Sequence, residues 1–145
     1  PEVRLKSFLE MRGADGGPWS RICALPALWV GLLYDQGALD AAWDLVKDWS
    51  MEEREQLRNE APSLGLKTRI PGGRTMQDLG KEALAIARSG LAARARLNGA
   101  GDNETGYLET LDEIVNSGKV PAERLLDAYR GEWGEDVGHV YKYSF

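Results

Sequence analysis

The sequence has little from which to build a covalent or metal staple. It holds one cysteine and one histidine in 145 residues. A single cysteine excludes an internal disulfide scaffold. The two residues together fall short of the four Cys or His ligands of a structural zinc site. A basic excess is also missing: 18 Lys and Arg stand against 23 Asp and Glu, a net charge of −5. That argues against nucleic-acid or acidic-membrane partners, whose polyanionic surfaces select cationic proteins. No apolar run reaches the ~20 residues that span a bilayer. The longest, from Ala24 to Tyr34, is interrupted by Pro26. The charged start Pro1-Glu2-Val3-Arg4 lacks the apolar centre of a signal peptide, so the expected location is cytoplasmic. What remains is a globular composition, 43% apolar and 28% charged. A chain of this length can bury roughly 68–70% of its unfolded surface.

Strand signal is scarce too. Val3 to Arg12 alternates, with Val3, Leu5, Leu9 and Met11 on one side and Arg4, Lys6, Phe8, Glu10 and Arg12 on the other. Period two with one apolar face predicts a half-buried strand, ended by Gly13, Gly16, Gly17 and Pro18. The only other candidate is the short stretch from Leu66 to Pro71. One strand cannot satisfy its own backbone groups. The expected partner is therefore chain outside this sequence or another copy, with a small two-stranded ribbon packed on helices as the alternative; the absence of Met at position 1 is read as truncation.

The rest reads as helices, so the expected fold is mainly α with one N-terminal strand. Trp19 to Tyr34 is apolar on nearly all sides and is expected to be buried all round, with Pro26 as a kink or late start. Leu39 to Trp49 carries apolar residues at helical spacing. Ser50 and Glu53 form a capping box opening a helix from Met51 to about Asn59, which is expected to stop before Pro62. A loop follows from Gly65 to Arg74, with Gly72-Gly73 as a turn. Thr75 to Leu97 is the longest helical pattern, with Lys81, Arg88, Arg94 and Arg96 as solvent-facing candidates. The Gly- and Asn-rich stretch from Asn98 to Gly106 is expected to be mobile. Tyr107 to Asn116 closes at Gly118, and Pro121 opens a last helix to Tyr129. The aromatic tail from Val140 to Phe145 is expected to dock on the domain.

The polar face of the first strand carries the candidate chemistry. Alternate residues on one strand face lie about 6.6–7 Å apart, which makes Glu10 and Arg12 neighbours, with Lys6 and Arg4 continuing the row. Carboxylate oxygen suits a magnesium ion and a guanidinium fork suits phosphate oxygens. A charged strand face is also the ordinary pattern of a solvated one, and spacing alone does not decide between them.

The words around the strand do more. Phe8-Leu9-Glu10-Met11-Arg12-Gly13-Ala14-Asp15-Gly16-Gly17-Pro18-Trp19, followed by Cys23-Ala24-Leu25-Pro26-Ala27-Leu28-Trp29-Val30-Gly31-Leu32-Leu33-Tyr34-Asp35, closely resembles the glutamate–cysteine ligases of plants and proteobacteria. The likeness continues through Asp48-Trp49, Glu53-Arg54, Leu57-Arg58, Gly65-Leu66-Lys67-Thr68 and Gly131-Glu132-Trp133-Gly134. It covers nearly the whole chain and matches the C-terminal third of such an enzyme. The resemblance implies a fragment of an α+β, glutamine-synthetase-like ligase. Residues 1–18 would belong to the parent's catalytic sheet and residues 19–145 to a helical region. It implies ATP and Mg²⁺ as cofactors, glutamate and cysteine as substrates, and the first step of glutathione biosynthesis through an acyl phosphate. It also implies that the missing N-terminal part of the enzyme is a partner, and that the isolated chain is inactive. In related ligases the Glu of a Glu-x-Arg strand motif holds a metal and the Arg meets the transferring phosphate. Glu10 is thus the candidate metal ligand, Arg12 the candidate catalytic and nucleotide-binding residue, and Lys6 a further nucleotide contact. Phe8 stands where a Tyr is common, which removes a hydroxyl.

Other residues take the ordinary reading. Asp15 stabilises a Gly-rich turn. Cys23 is a buried inert thiol. His139 is a packing or exposed histidine with no carboxylate partner visible in the sequence. Trp29, Trp43, Trp49 and Trp133 are core or interface anchors. Two alternatives stay open: another carboxylate–amine ligase of the same superfamily, and a helical interaction module without catalysis.

Overall fold

The computed structural model describes residues 3–14 and 16–143. Asp15 and the end of the tail, Ser144 and Phe145, lie outside the described residues. The chain runs as two short strands, β1 (Val3–Leu5) and β2 (Leu9–Met11), then seven helices among the described residues. These are α1 (Trp19–Leu33), α2 (Gln36–Asp44), α3 (Met51–Leu64), α4 (Met76–Arg94), α5 (Glu109–Ser117), α6 (Pro121–Arg130) and α7 (Val140–Tyr143).

The core lies where α1 crosses α4. Leu91, Ala87 and Leu108 are fully buried there, with Leu84, Ala27, Leu32 and Val115 around them. Two glycines set the closeness of the crossing. A Cβ at Gly31 would stand 2.3 Å from the Ala87 carbonyl oxygen, and one at Gly90 would stand 2.0 Å from the Gly31 carbonyl oxygen. The helices approach backbone to backbone because neither residue has a side chain in the way.

Helix starts follow local chemistry. Asp35 opens α2 by accepting the Ala38 N–H at 2.9 Å. Ser50 and Glu53 form the expected capping box, with the Ser50 N–H donating to Glu53 Oε2 at 2.8 Å. Thr75 and Asp78 form another at the head of α4, and Gly118 ends α5 at φ 67°.

The structure corrects several expectations. The segment from Val3 to Arg12 is a hairpin, not one long strand: Val3 pairs with Met11, Arg4 with Glu10 and Leu5 with Leu9. Its partner is its own first half. The loop Lys6-Ser7-Phe8 has no Gly, Asn or Pro to signal a turn, which is why alternation alone suggested continuity. Leu66 to Pro71 is not a strand but a 3-10 turn followed by an isolated bridge from Arg69 to Thr75. Helix α2 starts earlier and ends earlier than its apolar spacing suggested. Helix α3 runs through Pro62 to Leu64; α3 has no buried residue, so water can take the carbonyl that proline leaves without a donor. Helix α1 holds Pro26 without breaking; from Ala27 to Leu33 it is buried or half-buried as expected, but its first half is not, with Trp19 77% exposed.

Arg88 and Arg94 are not free solvent charges. Arg88 donates to Asp112 and, at 3.3 Å, to the Thr105 carbonyl. Arg94 meets Glu104 at 3.2 Å and lies 5.5 Å from the centre of the Tyr34 ring. Together they tie α5 and the segment before it to α4. Asn98 to Gly106 is organised by its own polar groups, the Asn98 side chain accepting the N–H of Ala100 and of Asp102. Among the described residues no single helix is long and apolar enough to cross a membrane.

Candidate active site

The hairpin brings three of the candidate residues together. Arg4 and Glu10 stand opposite each other in the antiparallel register, on the same face. Lys6, in the connecting loop, reaches back so that its Nζ lies 3.4 Å from Glu10 Oε2 and 5.7 Å from the centre of the Phe8 ring. An extended strand would hold positions 6 and 10 roughly 13 Å apart. The contact therefore depends on the turn and was invisible to the alternation pattern. The one available clue was a lysine and a glutamate flanking the reversal.

Glu10 is half-buried, and its Oε2 is shielded from solvent with no hydrogen-bond partner. A shielded carboxylate oxygen with only an ammonium nearby is held away from its best solvation. It is suited to a cation. Arg12 follows the last paired residue of β2 and is exposed, and among the described residues it makes no ion pair. The structure thus joins Glu10 to Lys6 and Arg4, and leaves Arg12 reaching outward beside them.

A magnesium ion takes one or two carboxylates and fills its octahedron with water and substrate phosphates. Glu10 fits one such position. Among the described residues no group of three or more His, Cys, Asp or Glu gathers to hold a metal.

Beyond Arg12 the Gly-rich turn forms one wall of a cavity of about 610 Å³, lined by Gly17, Arg21, Glu113 and Arg124 among others. Arg21 lies against Gly17, where a Cβ would stand 2.7 Å from its Nε.

The remaining candidates fall outside this site. Gly72 and Gly73 take φ 81° and 74°, as a turn requires. Cys23 is half-buried rather than buried and lines an apolar cavity. His139 does have a carboxylate partner, Asp136 at 3.7 Å, and it stacks on buried Trp133 with ring centres 6.0 Å apart. Trp43 is exposed on α2.

With the geometry in view, known proteins extend it. The family model described as glutamate-cysteine ligase family 2 matches residues 1–143. The chloroplastic glutamate–cysteine ligase of Arabidopsis thaliana is 51% identical over 142 residues, 98% of this chain and 26% of the relative. That of Solanum lycopersicum is 49% identical over 98% of this chain and 26% of its own length. That of Medicago truncatula is 50% identical over 97% and 26%. The chain spans about a quarter of the length of these curated relatives. All three are named as chloroplastic, which overturns the expectation of a cytoplasmic enzyme drawn from the charged first residues. A family model matched over residues 1–143 and identity near one half over 98% of the chain leave one assignment: this chain belongs to glutamate–cysteine ligase family 2.

Proposed function

We propose that this chain is part of an ATP-dependent ligase that joins the γ-carboxylate of glutamate to the amine of cysteine, as the first step of glutathione biosynthesis. One observation carries the reading: a carboxylate oxygen, Glu10 Oε2, shielded from water and without a hydrogen bond, with the Lys6 ammonium 3.4 Å away and an exposed arginine two residues on. The names of the relatives support a plastid-type location.

A carboxylate resists attack because its charge repels nucleophiles and oxide is a poor leaving group. Transfer of the γ-phosphoryl group of ATP to the glutamate γ-carboxylate gives an acyl phosphate and ADP. The cysteine amine then attacks the acyl carbon, phosphate leaves with the bonding pair, and the nitrogen loses a proton. Such chemistry is accelerated by positioning and charge neutralisation. Arg12 supplies a two-pronged donor to the transferring phosphoryl oxygens. Lys6 adds positive charge on the same face for the polyphosphate. Glu10 is one ligand of a Mg²⁺, which when bound neutralises phosphate charge. Residues 1–18 contribute this edge to a glutamine-synthetase-like sheet, and residues 19–145 brace it. The isolated 145 residues offer too few groups to hold ATP and glutamate together, so they are expected to be inactive alone.

The test is an ATP-consumption assay of the full-length enzyme with glutamate and a panel of amines. ATP use that requires both glutamate and cysteine supports the reading. Equal turnover with a different amine would replace cysteine as acceptor, and no glutamate-dependent ATP use would end the ligase reading.

A further inference from the structure

Helix α1 is apolar around most of its circumference; its second half, from Ala27 to Leu33, is buried or half-buried, but its first half keeps an uncovered side. Ala24, Ala27 and Gly31 are buried on the side toward α4. Away from α4 Trp19 is 77% and Ile22 52% exposed and Pro26 is exposed, with Cys23 half-buried beside them. Positions 19 and 22, 19 and 23, 22 and 26, and 23 and 26 lie three or four residues apart, so the four form one stripe along the first two turns of the helix. Midway along α1 this stripe borders an apolar cavity of about 230 Å³, lined by Cys23, Pro26, Val30 and Tyr107 among others.

We infer that the outer stripe of α1 is an internal interface: the rest of the parent chain, the part of a family-length protein that these 145 residues do not cover, packs on Trp19, Ile22 and Pro26. A helix that is apolar all round is one that a larger fold encloses. Contiguous apolar patches of this kind mark surfaces that meet a partner. The required partner is already implied by length, since the chain makes up only 26% of its Arabidopsis relative. The stripe also begins at Trp19, immediately after the segment whose hairpin leaves Val3, Leu5 and Leu9 exposed. Uncovered apolar side chains thus occur in the hairpin and again at the start of α1. A second copy of the chain would cover the stripe but leave the complementary surface of the missing part bare.

The inference stands on length and exposure, not on the ligase chemistry, and its test reads no turnover. Hydroxyl-radical footprinting of the full-length enzyme under reducing conditions measures side-chain oxidation, native against urea-unfolded. Trp19 and Ile22 are expected to be protected about tenfold or more, approaching buried Leu91, and equally so at low and high protein concentration. Oxidation of Trp19 near its unfolded rate would overturn the inference, as would protection that vanishes on dilution, which would mark a second copy. A photo-crosslinking amino acid at position 22 checks the occupant. Crosslinks to a peptide of the same chain outside these 145 residues support the assignment, and crosslinks between two chains refute it. Loss of ligase activity with the stripe still protected would sink only the proposed function. Normal activity with the stripe exposed would sink only the interface.

Discussion

Two regions of this molecule stand at opposite ends of a scale of completeness. At the α1–α4 crossing two backbones touch through Gly31 and Gly90, and Leu91 and Leu108 are fully buried. At the hairpin Leu5 is 84% and Leu9 57% exposed, and Glu10 keeps a shielded oxygen without a hydrogen bond. The crossing is satisfied by groups within these residues. The hairpin is not, and it carries the candidate chemistry. The difference separates a scaffold that closes on itself from a site edge built to meet something else. It also predicts that changes in the two places will be felt in different measurements.

The largest effect is expected at the hairpin, in activity. In the full-length enzyme Glu10→Gln removes the charge offered to a cation, and Arg12→Lys keeps charge but removes the fork. Each should lower kcat on the order of 10²–10³-fold, about 3–4 kcal/mol, with a melting temperature near wild type. Near-normal kinetics in Arg12→Lys would reduce the segment to a solvated charged face. At the crossing the split should reverse. Gly31→Ala drives a methyl group into the Ala87 carbonyl, and overpacking of this sort costs about 1–3 kcal/mol of stability. Gly99 is the control, because a Cβ added there would meet nothing within 4 Å; Gly99→Ala should fall within about 0.5 kcal/mol. Equal unfolding midpoints for the two variants would mean that the helices do not touch as described.

A smaller effect is expected at the head of α4. Thr75 accepts the Asp78 N–H, and Thr75→Ala should cost about 1 kcal/mol by denaturant titration. The smallest is a pH effect at the same cap. The Thr75 hydroxyl and N–H hold the Asp78 carboxyl below its ordinary 3.8. Its contribution is therefore present above that value and lost as pH falls through the lower folded value. Asp78→Asn should flatten this part of the acid limb, and an unchanged limb would show that the cap does not titrate.

Local signals were legible where they act over a few residues. Ser50 with Glu53, Gly118 after α5 and Pro121 at the start of α6 each satisfy or replace a nearby backbone group, so spacing alone locates them. Pro62 misled because the rule that stops helices assumes a costly unpaired carbonyl, and on an exposed helix water removes most of that cost. Arg88 and Arg94 looked like solvent charges because their partners Asp112 and Glu104 lie 24 and 10 residues away. The candidate site was legible as a motif, Glu10-Met11-Arg12, but not as a place.

Composition and short-range pattern by themselves determined that this chain is helical, has no disulfide or zinc scaffold, and opens with a segment that alternates apolar and charged residues. Those properties depend on backbone propensity, capping and period, which are local. Only the tertiary structure decided that the alternating segment folds back on itself, that Lys6 rather than Arg12 lies on Glu10, and that the first half of α1 is left partly uncovered. Each of these depends on which surfaces meet across the chain, and a pattern along the chain does not contain the geometry of a turn or the identity of the neighbour that a face will find.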